Sequence, residues 1–364
     1  MLKLLKLALV LILCCAYATS ARAEHNSEQA WLDYHWGRGL NLPALNLNIG
    51  GYFKASYERE EFSPDKFSVN DLSIFITWSP LDRLRFFAEV EQHNWLSNEG
   101  VSRFNETLSV ERLFVDVLLS ESSTLRFGKY LTPVGRWNVI HSAPLVWTTN
   151  RPVLTDDRSY APRANGVLLT HSHLVNEHNL DITLYLDDST DLEIKSRNNI
   201  VFDRAAGARV NYELTEHLQI GSSYLAYQKL SDMALADLNS PDDAPLPWHH
   251  LIGIDALWQH NGYEVLFESH YHLRDDPKHI LDEKSLFIQG VAPLVAQVSA
   301  VARYEYFNSS IFRPLLQDTV AHIGVTGLAW RPFLPMVLKA EYRFGSGNQI
   351  IAPSGFYLSI ATFY

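Results

Sequence analysis

Residues 353–364 read Pro-Ser-Gly-Phe-Tyr-Leu-Ser-Ile-Ala-Thr-Phe-Tyr. Phe356, Leu358, Ile360, Thr362 and Tyr364 occupy one set of alternate positions; Tyr357, Ser359, Ala361 and Phe363 occupy the other. This period-2 pattern marks a strand with two unlike faces. In a soluble protein a chain end of this kind would usually fray. Two readings follow: the closing strand of a β-barrel, or the last strand of a soluble sandwich.

The beginning of the chain favours the barrel. Lys3 and Lys6, the apolar run Leu7 to Ala18 and the small-x-small site Ala21-Arg22-Ala23 read as a secretory signal over residues 1–23. Its apolar run is too short to span a bilayer as a helix. Cys14 and Cys15 lie inside this segment, so the exported chain is expected to carry no cysteine. Leu13 before Cys14 argues against a lipoprotein site. Loss of Lys3, Lys6 and Arg22 takes the formal net charge from −11 to −14. Such an acidic chain is a poor partner for nucleic acid. No later stretch holds 18 consecutive apolar residues, so membrane residence requires a closed barrel, the one alternative that satisfies every backbone polar group in lipid.

The strands fit that requirement. After a polar lead over 24–43 with Trp31 and Trp36, a barrel is expected over 44–364. Leu72, Ile74, Ile76 and Trp78 oppose Asp71, Ser73 and Thr77; Leu84, Phe86, Ala88 and Val90 oppose Arg85, Glu89, Glu91 and His93. The expected strands are about ten to thirteen residues long, as tilted membrane-spanning strands need, against about five or six in ordinary sheets. Trp78, Tyr212, Trp248, Trp258, Tyr263, Tyr304 and Tyr306 sit near strand ends on the apolar face, as interfacial girdles do. Short connections alternate with long ones, which gives about sixteen strands with turns in the periplasm and loops outside. The expectation is an all-β, transmembrane, antiparallel up-and-down barrel. Its aromatic last residue resembles that of bacterial outer-membrane barrels.

Three segments resemble the phosphate-selective porin O and P family of outer-membrane channels. They are Glu111 to Val117 running through a turn into Leu125 to Gly135, the stretch from Phe287 to Phe307, and Gly324 to Phe344. Together they cover about a third of the chain. The resemblance implies an outer-membrane channel for passive diffusion of small hydrophilic solutes or ions, anions such as phosphate among them. Its expected surroundings are outer-membrane lipid and lipopolysaccharide of a Gram-negative cell.

About sixteen strands leave a lumen too wide for side chains to fill, so water is expected inside. Arg85, Glu89, Arg112, Asp116, Arg126, Arg209, Glu268, Arg303, Glu305, Lys339, Glu341 and Arg343 are predicted to line it. Glu91, Asp181, Glu213, Asp255 and Glu264 share the inward set. Both signs of charge are present, which departs from a purely basic lining. The longest internal loop, 132–164, carries Trp137, Pro144, Trp147, Pro152 and Pro162. That much apolar surface is costly in water, so the loop is expected to pack. One reading folds it into the lumen as a constriction bearing Arg136, Arg151, Arg158 and Arg163 beside Asp156 and Asp157. The other makes it an external cap whose arginines meet lipopolysaccharide phosphates.

No Gly-x-Ser-x-Gly, His-Glu-x-x-His or Cys-x-x-Cys-His pattern occurs, and no catalytic residue or cofactor is assigned. His270, His272 and His279 with Asp275 and Asp276 are read as a solvated patch rather than a metal site. His171 and His173 flank a turn without an evident partner. The outward Ala206, Ala208 and Ala226 form a small-residue wall of the kind a homotrimer uses. A plugged or partner-binding barrel, and a barrel hydrolase, are the competing classes.

Overall fold

The computed structural model describes residues 32–98, 100–101, 108–140, 142–155, 159–188, 201–229, 246–275, 280–311 and 319–364. The proposed signal segment lies outside them.

Sixteen long strands form the wall. They are β1 (Leu47–Glu60), β2 (Lys66–Leu81), β3 (Leu84–Ser97) and β4 (Leu108–Leu118). Next come β5 (Ser123–Leu131), β6 (Arg163–Val175), β7 (His178–Asp187) and β8 (Phe202–Thr215). Then follow β9 (Leu218–Lys229), β10 (His249–His260), β11 (Tyr263–Asp275) and β12 (Ile280–Val295). The last four are β13 (Val298–Ser309), β14 (Ala321–Phe333), β15 (Met336–Gly347) and β16 (Gly355–Phe363). Each pairs antiparallel with the next. β16 pairs with β1, from Gly355↔Glu60 to Phe363↔Tyr52, and this closes the sheet into a barrel without an edge. Beyond β16, Tyr364 exchanges backbone hydrogen bonds with Gly51 and donates its hydroxyl to the Ser73 carbonyl at 2.9 Å.

The outer face is aliphatic at mid-height. Ile74, Ile76, Ile182, Leu184, Ile252, Ile254, Ile288 and Leu328 are exposed there. Aromatic residues bracket them. Trp258, Tyr263 and Trp330 stand exposed near the short turns; Phe67, Trp248, Tyr304, Phe344 and Phe356 stand exposed near the long loops. A polar wall would leave water-seeking groups in hydrocarbon; this one presents an apolar band with interfacial rings above and below.

The lead is more ordered than a bare polar tail. Asp33–His35 and Gly39–Leu42 form a two-stranded ribbon, and Leu40↔Ile49 to Leu42↔Leu47 pair its second strand onto the start of β1. β1 therefore begins at Leu47, after a 3₁₀ turn at Pro43–Leu45, later than residue 44.

A glycine lets β4 and β5 approach closely. Gly128 on β5 has φ +124°, a region essentially confined to glycine, and an added Cβ would collide with the Leu113 carbonyl oxygen on β4. Gly128→Ala is expected to cost about 1–3 kcal/mol from backbone strain alone. A lowered urea midpoint of the refolded barrel would show it. Gly290→Ala, where a Cβ meets nothing within 4 Å, is the control expected to leave the midpoint in place.

Candidate pore and its inward loop

The segment between β5 and β6 turns into the barrel rather than over its outer rim. It starts with two turns tied at the outer end: Thr132 Oγ1 donates to the Ala161 carbonyl at 2.7 Å, and Asn138 Nδ2 donates to the Thr132 and Pro162 carbonyls. Gly135, at φ +63°, then brings the backbone against the Glu268 carboxylate of β11, where a Cβ would collide. Glu268 Oε1 accepts from the backbone N–H of Arg136 at 2.7 Å and of Trp137 at 2.6 Å.

The Arg136 side chain is fully engaged with the wall. Its Nε donates to Asp255 Oδ1 at 2.6 Å and its Nη1 to Gln219 Oε1 at 2.8 Å, while Nη2 bonds Asn211. Arg209 shares the same carboxylate, with Nη1 to Asp255 Oδ2 at 2.7 Å. Asp255 has no side-chain exposure, and the two guanidiniums have 10% and 11%. Two cations on one buried carboxylate make an anchor that depends on that carboxylate, because removing it strands both guanidiniums in a dry site.

Further along, the loop reaches the short-turn end of the barrel and comes back. Arg331 Nη1 and Nη2 donate to the Pro144 and Leu145 carbonyls, and Lys339 Nζ donates to the Ala143 and Thr148 carbonyls at 2.8 and 3.0 Å. On the return, Glu341 accepts from the backbone of Thr149 and Asn150, Arg303 Nη1 donates to Thr148 Oγ1, and Glu305 accepts from the Val153 N–H at 2.5 Å. Ser159 Oγ donates to Glu283 at 2.5 Å before β6 begins.

Between these polar ties the loop and wall share dry clusters. Trp137, Val146 and Leu154 pack with the inward Leu266 and Phe287; Ala143 packs with Val291, Val301, Ala329 and Val337; Val153 packs with Ile323 and Val325. The lumen on the β9–β15 side is thus a core and not a water-filled wall. The expectation that every inward face is polar misses these residues. Inward Leu251, Leu266, Phe287, Val325 and Val337 were the signal in the sequence that something covers them.

Water-accessible space remains beside β1–β3. A cavity of about 410 Å³ lies at the outer half, lined by Lys54, Glu58, Asp71, Glu91, Arg151 and Arg163 among others. A second, of about 450 Å³, lies at the short-turn mouth, lined by Asn48, Thr77, Asp82 and Arg85. Between them in height run inward aromatics on successive strands: Tyr52, Phe75, Phe87 and Phe114, with ring centroids 5.7, 5.9 and 5.2 Å apart along the row. The Arg112 guanidinium lies 4.6 Å over Phe87 and that of Arg126 lies 3.6 Å over Phe114. Arg112 also pairs with Glu89, and Arg126 donates to both Asp116 oxygens at 2.6 and 2.9 Å. An aromatic and arginine neck between two polar chambers was not expected from charge alone.

The sequence-selected residues therefore divide. Arg85, Glu89, Arg112, Asp116 and Arg126 line the β1–β5 side. Arg209, Glu268, Arg303, Glu305, Lys339 and Glu341 hold the loop. Arg343 donates to the Ile351 carbonyl near the outer end. Of the loop residues, Arg136 faces the β8–β10 wall, Arg163 pairs with Glu111, and Arg151 is exposed to the outer cavity. Asp156, Asp157 and Arg158 lie outside the described residues.

The histidines differ from their sequence reading as a solvated patch. His270 and His272 are buried beneath the loop, with His272 Nε2 2.9 Å from His249 Nδ1 and 3.0 Å from the Tyr227 hydroxyl. They are buried because the loop covers β11; Asp276 and His279 lie outside the described residues. His171 does have a partner, with Nδ1 2.9 Å from Ser123 Oγ. Ala206 and Ala226 are cross-strand neighbours on the outer wall.

No family model matches the chain. An uncharacterized protein of Aquifex aeolicus (strain VF5) is 25% identical over 256 residues, covering 66% of this chain and 55% of that protein. The chain thus spans about half the length of that relative. The anion-selective porin from Comamonas acidovorans superimposes with a TM-score of 0.62 at 11% identity, over 87% of this chain and 99% of that one. OmpF of Salmonella typhi, in complex with daunomycin, gives a TM-score of 0.62 at 12% identity, over 87% and 97% of the two chains. The fold is that of the outer-membrane porins. At these identities the likeness extends to fold.

Proposed function

We propose that this protein is an outer-membrane porin, exported through a cleaved signal over residues 1–23, that lets small hydrophilic solutes and ions diffuse passively. The loop 132–164 is its constriction, and no catalysis is involved. The observation that carries this reading is the pair of polar cavities, of about 410 and 450 Å³, in line along β1–β3 beside an inward-folded loop. A barrel built only as a plug or a hydrolase scaffold has no need of two aligned polar chambers. Kinship with the phosphate-selective porin O and P family, surrounding lipopolysaccharide and a homotrimer joined through the Ala206–Ala226 wall belong to the same proposal.

The charge around the outer cavity is mixed. Lys54, Lys66, Arg151 and Arg163 face Glu58, Asp71 and Glu91. Opposed charges orient water across the path and leave little net field along it. Anions such as phosphate pass on this reading without exclusive selectivity.

The test is single-channel recording of the refolded protein in a planar bilayer under a salt gradient. Stepwise conductance with a small reversal potential is expected. Arg151→Glu, which reverses an exposed cavity charge, is expected to move the reversal potential toward cation preference. A folded barrel that passes no current overturns the porin reading in favour of a plugged barrel.

A further inference from the structure

The wall of the outer cavity holds a group of side chains that the passage of solutes does not require. Asp71 on β2 and His93 on β3 are direct cross-strand partners, and Glu91 shares the inward face of β3 with His93 two residues away. One ligand-capable atom from each lies within 4.8 Å of the others, and all three side chains line the cavity. Their neighbours fix how each one presents itself.

His93 is oriented from behind. Its Nε2 lies 3.2 Å from Glu111 Oε1 and 2.9 Å from Ser109 Oγ. A carboxylate only accepts, so Glu111 holds a hydrogen on Nε2, and a dication entering the cluster would take the place of the hydrogen that Nδ1 turns toward Glu91. That Nδ1 stands 2.9 Å from Glu91 Oε1 and 3.8 Å from Asp71 Oδ1. Glu91 is steadied through its other oxygen, Oε2, by the Tyr52 hydroxyl at 3.0 Å. Asp71 turns its other oxygen, Oδ2, toward Lys54 at 3.9 Å.

Three atoms able to ligate thus converge, each side chain held by a partner on its far side. A carboxylate behind the imidazole of a metal ligand is a recurring arrangement, because it sets the tautomer and raises the basicity of the ligating nitrogen. An imidazole with two carboxylates suits divalent transition metals, with metal–ligand bonds of about 2 Å. The cavity supplies room for water on the open side of the ion.

The geometry points to a divalent transition-metal site formed by Asp71, Glu91 and His93 in the wall of the outer cavity, positioned by Glu111 and Tyr52. A bound dication there adds positive charge beside the path and is expected to reduce current carried by cations. The effect on current rests on the porin reading above; the binding does not.

The probes are Zn²⁺ and Mn²⁺ alone. Binding is measured by titration calorimetry on the full refolded chain in detergent, where conduction plays no part. Exposed His217 and His260 also adjoin, with ring nitrogens 3.0 Å apart, so the variants carry the test. Asp71→Asn and His93→Gln are expected to remove one binding event. Glu111→Gln is expected to weaken it by about tenfold to a hundredfold, the usual cost of losing a supporting carboxylate. Lys54→Met removes a competing cation and is expected to tighten it, a gain that a merely misfolded variant would not give. In bilayers, Zn²⁺ is expected to lower the wild-type current and leave that of Asp71→Asn unchanged. Absence of any event that these substitutions alter, in protein whose heat-shifted gel mobility shows a closed barrel, overturns the site.

Discussion

Deletion of residues 140–158 is expected to raise single-channel conductance at least about twofold, since conduction through a narrow pore follows its smallest section. The removed segment contains the chain that crosses to Arg331, Lys339, Glu341, Arg303 and Glu305 and comes back. The wall does not need it to close, because every strand-to-strand ladder from β1 to β16 runs outside the loop. The shortened protein should therefore still show the heat-shifted gel mobility of a closed barrel. Lys339 and Glu341, freed of their loop partners, would face water instead of peptide groups, which favours filling of that half of the lumen. Equal conductance in the two proteins would mean that current bypasses the loop, and the constriction would be withdrawn.

Asp255→Ala is expected to be the most damaging single substitution. It leaves Arg136 and Arg209 side by side without their shared carboxylate at side-chain exposures of 10% and 11%. Breaking a buried ion cluster from one side costs about 3–5 kcal/mol. The loop has the weaker hold, so it should yield first: chymotrypsin is expected to cut after Trp147 in the variant and not in the wild type, before the urea midpoint of the barrel moves. Replacing Asp255, Arg136 and Arg209 together by apolar residues of similar size should restore protease resistance, because no stranded charge remains. A single variant as resistant as the wild type would show that the backbone bonds to Glu268 hold the loop unaided.

The wall was legible because lipid imposes a uniform rule on one face of every strand. Ile74, Ile252 and Leu328 are apolar on the outside whatever lies inside, and Trp258 or Tyr304 marks where the bilayer ends. Strand count and direction follow from that rule and from the short turns. The interior obeys no single rule. Leu266 and Glu268 share an inward face, yet one packs on Trp137 and the other bonds its backbone. Period-2 reading finds the charged member and passes over the apolar one. A bulge hid another feature: Glu89 pairs with Arg112 and Val90 with Val110, so Glu111 is the additional residue and turns inward beside Arg112. The Asp71–His93 pairing depends on the register between β2 and β3, which sequence spacing alone does not supply. The inward aromatic row was readable in principle, since Phe75 and Phe87 lie on the same faces as Ser73 and Glu89, but only once those strands are aligned.

The loop's partners lie far ahead of it in the chain: Glu268 is 132 positions beyond Arg136, and Glu341 is 192 beyond Thr149. Until β10 to β15 are in place, Arg136 has no carboxylate and the Lys339 ammonium no peptide oxygen to meet. Contacts of such long separation form late. The loop is then a latch set at the end of assembly, and the meeting of β16 with β1 is the step that encloses it. A barrel sealed before the loop turned inward would hold its longest apolar loop on the wrong side of its own wall, with the outer opening as the sole way back.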